Sequence, residues 1–239
     1  IKHGSAFKDV FTPVITLELE TADKSGDNAG RGQAADTGGV AVIDRKEAYT
    51  IERSSFSENS DFIFNINIKT GDAKIIDKAY SLPHTTLKNN ADWALGIVTG
   101  DNRKYLSNEL LPGMEPIIKG SDIFPGSIKT PSAFISFTPE LFQQTASEGK
   151  YRCREKLVYK FISKRLVFAA DSGGRLTLNS ANILIPRIEG CSSEAIMELF
   201  NSDLYNFIYQ KKFNSVKVLR SYLEELPIPL ELIKAAQKN

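Results

Sequence analysis

Helical periodicity is confined to the C-terminal end of this 239-residue chain, and most of what precedes it reads as short β segments. Ser192 and Ser193 suit an N-cap, and Glu194 suits the first turn of a helix. Ile196, Leu199, Phe200, Leu204, Phe207 and Ile208 then follow at the spacing of one helical face. Lys211 and Lys212 sit where the end of a helix dipole favours positive charge. A second apolar series, Val216, Leu219, Leu223 and Leu226, stops at Pro227-Ile228-Pro229. Upstream, Trp93 to Phe137 consists of short strand-like runs punctuated by turn pairs such as Pro112-Gly113 and Pro125-Gly126. Leu157 to Ala169 and Leu176 to Ile185 read as two strands around the turn Asp171-Ser172-Gly173-Gly174. Strands first and helices last predict an α+β fold, a β-rich body with C-terminal helices and no internal repeat.

The N-terminal part has a different texture. Val10 to Glu20 is rich in β-branched residues and ends in the alternation Leu17-Glu18-Leu19-Glu20, a strand signal that tolerates Pro13 near its start. Thr21 to Gly39 has repeated Gly, Ala and Asp with no large apolar residue, so a flexible loop is expected over 21–39. Gly39 to Ile43 and Tyr49 to Ile51 restore a β pattern, and Phe62 to Ile68 has the alternation of a half-buried strand. The pattern changes again near Lys78. A boundary is expected between Gly71 and Pro83, separating residues 1–75 from 76–239.

Several function classes lose support from the sequence. No G-x-G-x-x-G follows a strand, and there is neither a G-x-x-x-x-G-K-[ST] phosphate loop nor a G-x-S-x-G elbow. His3 and His84 are the only histidines and have no obvious nucleophile partner. With Cys153 and Cys191 the only cysteines, a Cys/His zinc site is poorly supplied. No catalytic, cofactor-binding or metal-binding residues are therefore assigned, and the chain is not expected to be a complete enzyme. Two thiols in no framework suit a reducing, cytoplasmic setting. No apolar run approaches the ~20 residues that span a bilayer, and there is no signal peptide; no membrane partner is expected. The chain begins at Ile1 without an initiator Met, which suggests an excised fragment.

The formal charge of the whole chain is only +1, but its distribution is uneven. Between Lys150 and Arg220 thirteen basic residues face six acidic ones, a local excess of +7 interleaved with Tyr151, Tyr159 and Phe161. Such a run suits a polyanion such as DNA. It equally suits a solvated basic face with no partner.

Five stretches, in order, resemble one family. Ala91-Asp92-Trp93 through Ile97-Val98-Thr99-Gly100-Asp101-Asn102 resembles the G-I-x-T-G-x-N signature of TaqI-type C-terminal specificity domains. Pro116 to Ile123 resembles the k-G-x-D-I step, and KLVYKFISKRLVF (156–168) a long strand segment of that family. RLTLNSANILIP (175–186) resembles its n-s-x-x-i-i-p segment. Leu199 to Phe213 with Leu226-Pro227-Ile228-Pro229 resembles its closing l-l-N-S and l-P-I-P motifs. The resemblance covers about residues 80–230. Phe7 to Leu17 further resembles the last strands of an adenine-methylating domain, without that domain's cofactor turn or N-P-P-[YF] loop.

The resemblance implies a target-recognition domain for double-stranded DNA in a restriction–modification adenine methyltransferase, fused in some cases to a nuclease. Its partners would be duplex DNA and the rest of the catalytic domain. S-adenosylmethionine, and Mg where a nuclease is attached, would belong to that other part, not to this chain. Lys156, Lys160, Lys164 and Arg165 would lie along phosphates, which fixes register without reading sequence; ordinary surface charge is the alternative. Thr99, Gly100, Asp101 and Asn102 would bring backbone N–H groups to a phosphate, or simply form a tight turn. Arg175, Asn179 and Ser180 would face a groove, since Arg can pair with guanine and Asn with adenine; otherwise Asn179 and Ser180 hold turn backbone. Lys119 and Ser121 are further candidates of the same kind. Trp93, Tyr205, Phe207 and Tyr209 are expected in packing and His84 in an exposed loop. A type I specificity subunit and a module that binds an acidic protein remain as alternatives.

Overall fold

The computed structural model describes residues 2–4, 14–16, 18, 39–44, 47–57 and 64–236. They group into two compact units that divide after Asp77. The loop expected over 21–39, apart from Gly39, and most of the strand expected over 10–20 lie outside the described residues.

In the first unit β1 (Lys2–Gly4) pairs antiparallel with β2 (Val14–Ile15) and parallel with β3 (Gly39–Asp44). β3 forms a hairpin with β4 (Glu47–Glu52), giving the order β2-β1-β3-β4. Val42, Ile51 and Phe56, the last on the single turn α1 (Ser54–Ser57), make a small core. Phe64 to Lys69 is not the strand expected there, and Phe62 and Ile63 lie outside the described residues. The Asn65 side chain accepts from the Asn67 N–H, bending the chain locally, and Tyr49 Oη donates to the Ile66 carbonyl. The division falls within α2 (Thr70–Ser81), a helix the sequence pattern does not announce because only Ile76 of it is fully buried.

The second unit is α+β, as expected. Its main sheet has the order β13-β12-β15-β6, built from β6 (Ala91–Ala94), β12 (Lys156–Lys160), β13 (Phe168–Asp171) and β15 (Ala181–Pro186), all antiparallel. A second sheet has the order β14-β8-β11-β7, from β7 (Leu106–Ser107), β8 (Glu115–Ile118), β11 (Phe134–Ile135) and β14 (Leu176–Thr177). Ile97, Ile117, Ile135, Val158 and Ile183 are buried together in one core contributed by both. Two segments read as single strands are therefore each two strands. The break after Lys160 falls at Ser163-Lys164-Arg165, where Ser163 Oγ accepts from the Arg165 N–H and starts a turn.

Helices α3 (Asn102–Tyr105) and α4 (Glu148–Arg152) are short connectors. A hairpin of β9 (Ile123–Phe124) and β10 (Ser127–Ile128) packs against the main sheet. The longest helices of this unit are α5 (Ser193–Asn201) and α6 (Asp203–Phe213). The Ser192 side chain caps α5 as expected, accepting from Ala195 N–H. The apolar series read as one helix breaks at Ser202, whose hydroxyl accepts from Tyr205 N–H and starts α6. Asn201 bonds both backbone groups of Phe168, and Asn206, 3% exposed, accepts from Leu166 N–H and donates to the carbonyls of Phe200, Asn201 and Ser202. These two amides join the helix pair to the sheet, a physical reason for the N-S step of the closing motif. The C-terminal run contributes α7 (Arg220–Leu223), β16 (Ile228–Pro229), paired with β5 (His84–Thr85), and α8 (Leu230–Ala236). His84 is half-buried on that strand instead of lying in an exposed loop. Trp93, Tyr205 and Tyr209 are buried, as expected, while Phe207 is half-buried.

Candidate nucleic-acid interface

Strand β12 carries a lysine at each end, and the two have opposite fates. Lys156 is fully buried. Its cross-strand partner is Asp171, and its ammonium donates to the Asp171 Oδ2 at 2.7 Å, to the Tyr151 carbonyl and to the Cys153 carbonyl at 3.2 Å. All three N–H donors are used. Asp171 is equally saturated: Arg175 Nε reaches Oδ1 at 2.8 Å, Gly173 N–H reaches Oδ1 at 3.2 Å and Arg175 N–H reaches Oδ2 at 2.9 Å. Burial pushes the Asp171 carboxyl up, but the Lys156 ammonium and Arg175 outweigh it and hold the group below the ordinary carboxylate value. Lys156 therefore does not lie along phosphates; it fastens the end of the sheet. Arg175, with 29% of its side chain exposed, is committed to the same carboxylate and not extended into solvent.

Several other basic residues of the run also have acidic partners, in pairs that are partly or largely exposed. Arg152 makes a two-pronged contact with Glu115, at 2.5 and 2.7 Å, and Arg187 pairs with Asp92 and Arg220 with Glu224. Arg165 likewise pairs with Asp203, and this pair is solvent-exposed and open to exchange. Lys164 is exposed in the loop after β12, where its carbonyl accepts from Gln210 Nε2.

At the other end of β12 several predicted residues converge. Gly120 N–H donates to Ser180 Oγ at 3.0 Å, and Phe161 N–H donates to the Ser180 carbonyl at 3.1 Å. Asn179 N–H donates to the Ile97 carbonyl at 3.0 Å, which draws in the segment that runs on to Asn102. The segments 97–102, 119–122, 160–161 and 179–180 are thereby tied together. They carry Thr99, Gly100, Asn102, Lys119, Ser121, Lys160, Asn179 and Ser180, eight of the twelve predicted residues.

Within this group the roles divide. Thr99 is buried and its hydroxyl donates to Asn102 Oδ1 at 2.7 Å; Gly100 has φ +82°, which only glycine adopts without strain. Asp101 caps α3 by accepting from Arg103 and Lys104 N–H groups. Ser180 holds backbone. Lys119 gives its N–H to Asp122 Oδ2 at 2.8 Å and reaches Ser132 Oγ at 3.4 Å. The Asn102, Ser121 and Asn179 side chains are exposed, and among the described residues no carboxylate pairs with Lys160.

The structure adds two residues that the spacing did not single out. Phe124 lies at the tip of the β9–β10 hairpin, with Lys129 Nζ at 4.4 Å and Lys160 Nζ at 5.4 Å from its ring centre. The only hint was the adjacent Pro125-Gly126 turn.

The close approach at Gly120 is testable. A Cβ there would lie 2.4 Å from the Ser180 carbonyl oxygen, a backbone atom that cannot step aside. Gly120→Ala is expected to cost about 1–3 kcal/mol of stability by overpacking, measured by urea unfolding. A neutral substitution would mean the 119–122 and 179–180 segments are not held together.

Residues 115–228 match the family model described as the TaqI-like C-terminal specificity domain. The matched stretch is a little under half of the chain. The match spans three strands of the main sheet (β12, β13 and β15), the β9–β10 hairpin, α5 and α6, and bears out the resemblance read from the motifs over those residues. Over 73 residues the chain is also 40% identical to the Type II methyltransferase M.VspI of Vibrio sp. (strain 343), covering 30% of this chain and 18% of that protein. Among solved structures, one described as the structural basis underlying complex assembly and conformational transition of the type I R-M system aligns with a TM-score of 0.45 at 13% identity, covering 70% of this chain and 43% of the other. The HsdS subunit from Thermoanaerobacter tengcongensis aligns with a TM-score of 0.43 at 11% identity, covering 69% of this chain and 41% of the other. The chain thus spans less than half the length of each of these proteins. Among the described residues, no helix is long and apolar enough to cross a membrane.

Proposed function

We propose that this chain is the sequence-reading part of a restriction–modification adenine methyltransferase, gripping double-stranded DNA with the surface at the Lys160 end of β12. The observation that carries the reading is the hydrogen-bonded gathering of segments 97–102, 119–122, 160–161 and 179–180, which carry the exposed amides of Asn102 and Asn179 and the ammonium of Lys160, paired with no carboxylate among the described residues. Exposed amides can pair with adenine in the major groove, and unpaired lysines suit phosphates. Lys160, Lys164 and Arg165 serve as backbone contacts; Asn102, Ser121 and Asn179 serve as candidate readers. Gly100, Lys119 and Ser180 shape the surface.

Residues 1–75 are, in this reading, the closing strands of the methyltransferase domain. The chemistry belongs to the remainder of such an enzyme. S-adenosylmethionine supplies the methyl group there, and this chain contributes orientation of the DNA, in the cytoplasm.

Titration of randomised duplex DNA, followed by fluorescence anisotropy at several salt concentrations, tests this. Binding should weaken with salt at a log–log slope of ~0.9 per phosphate contact. Salt-insensitive binding, or none with the full-length protein, would overturn it.

A further inference from the structure

We propose that Phe124 is a base-reading residue, whose ring makes the apolar contact to a pyrimidine 5-methyl group in the major groove while Lys129 and Lys160 take flanking phosphates. The proposal rests on the DNA-recognition reading above and assigns it a specificity determinant.

The hairpin that carries Phe124 is a rigid mount. Ile123 is fully buried and Phe124, the next residue, is 36% exposed, as the period of a strand requires. Pro125 and Gly126 close a two-residue turn with Gly126 at φ +73°, matching a type II turn. Gly126 N–H donates to the Phe168 carbonyl at 2.9 Å, tying the turn to the main sheet, and Lys129 N–H donates to the Asp122 carbonyl at 2.8 Å, extending the hairpin's own ladder. The ring is thus presented at low entropic cost, which is what a preorganised contact needs.

The electrostatics around the ring point to an anionic partner. Two ammonium groups, one from the end of β12 and one from the residue after β10, stand within 5.4 Å of the ring centre, and among the described residues no carboxylate pairs with either. The ring attracts both cations, but they repel each other. Phosphates on either side would draw the lysines outward and leave the ring facing the groove. There Phe offers no hydrogen bond and favours a methyl group, which distinguishes thymine from cytosine. Lys160 is also the cross-strand partner of Ala181, next to Ser180 and Asn179, so the tip and one amide reader are joined through a single strand pair.

The test uses the full-length protein and its preferred duplex, with each thymine in turn replaced by deoxyuridine, which lacks only the methyl group. At one position the wild type should bind about fourfold more weakly, the effect of losing one buried methyl. Phe124→Ala should be indifferent to that replacement and keep the wild-type salt slope; Phe124→Leu, which stays apolar, should retain part of the discrimination. Equal methyl dependence in wild type and Phe124→Ala, or none at any position in the wild type, would overturn the assignment while leaving DNA recognition standing. Loss of salt-dependent duplex binding by the wild type itself would overturn both.

Discussion

Asp171→Ala is expected to destabilise the unit from Lys78 onward by about 3–5 kcal/mol, the range for breaking a buried pair from one side. The reason is the geometry beneath it. Asp171 and Lys156 are both fully buried, and the variant leaves an ammonium at zero exposure with only two carbonyls for company. Arg175 N–H and Gly173 N–H lose their acceptor in the same step, so the turn between β13 and β14 loosens as well. Urea unfolding of the variant reads the loss directly. Replacing both partners, as Lys156→Met with Asp171→Ala, should recover a large part of it, because no uncompensated charge remains. A single variant within about 1 kcal/mol of wild type would mean that water reaches the pair, contrary to its burial.

The same carboxylate sets an acid limb. Its folded pKa is depressed below the unfolded value of about 3.9. The stability it supplies is therefore fully present above about pH 4 and is lost as pH falls through the lower, folded value. Asp171→Asn should flatten that limb in an unfolding series between about pH 5 and pH 2.

How much of this was legible follows from the range of the interactions. Local signals were read well: the Ser192 cap and the short β patterns at Gly39 to Ile43 and Tyr49 to Ile51 depend on neighbours in sequence. The break at Ser202 was missed because Leu199, Phe200, Leu204 and Phe207 keep helical spacing across it, although Asn201-Ser202-Asp203 is itself an N-cap sequence. Lys156 was misread for a different reason. Its position in a basic run looks like Lys160's, and only the pairing of β12 with β13 brings Asp171, fifteen residues on, opposite it. Sequence periodicity carries no such register. Charge counting fails in the same way: Arg152 is cancelled by Glu115 and Arg187 by Asp92, acids that lie outside the run that was counted. The converging face is legible as motifs, since each of its segments falls in a recognised stretch. What joins them, a serine hydroxyl and a few carbonyls, is visible only in three dimensions.

Replacing Lys129 and Lys160 together by alanine should weaken DNA binding most at low salt and least at high salt. Both ammonium groups stand beside Phe124, and no carboxylate among the described residues pairs with them. If each contacts one phosphate, the double variant should have a salt slope lower by about 1.8. The wild type's advantage should then shrink about tenfold between roughly 50 mM and 200 mM salt. Lys156→Met is the matching control, since its ammonium never meets solvent: it should change stability and leave the slope alone. The pattern separates a gripping surface from a merely basic one. A solvated basic face would lose slope in proportion to charge wherever the charge is removed, so removing Lys211 and Lys212 would then do as much as removing Lys129 and Lys160. A contact surface loses it only where phosphates sit. Equal slopes for the two double variants would place the DNA elsewhere on the domain, and an unchanged slope for Lys129→Ala/Lys160→Ala alone would remove this end of β12 from the interface.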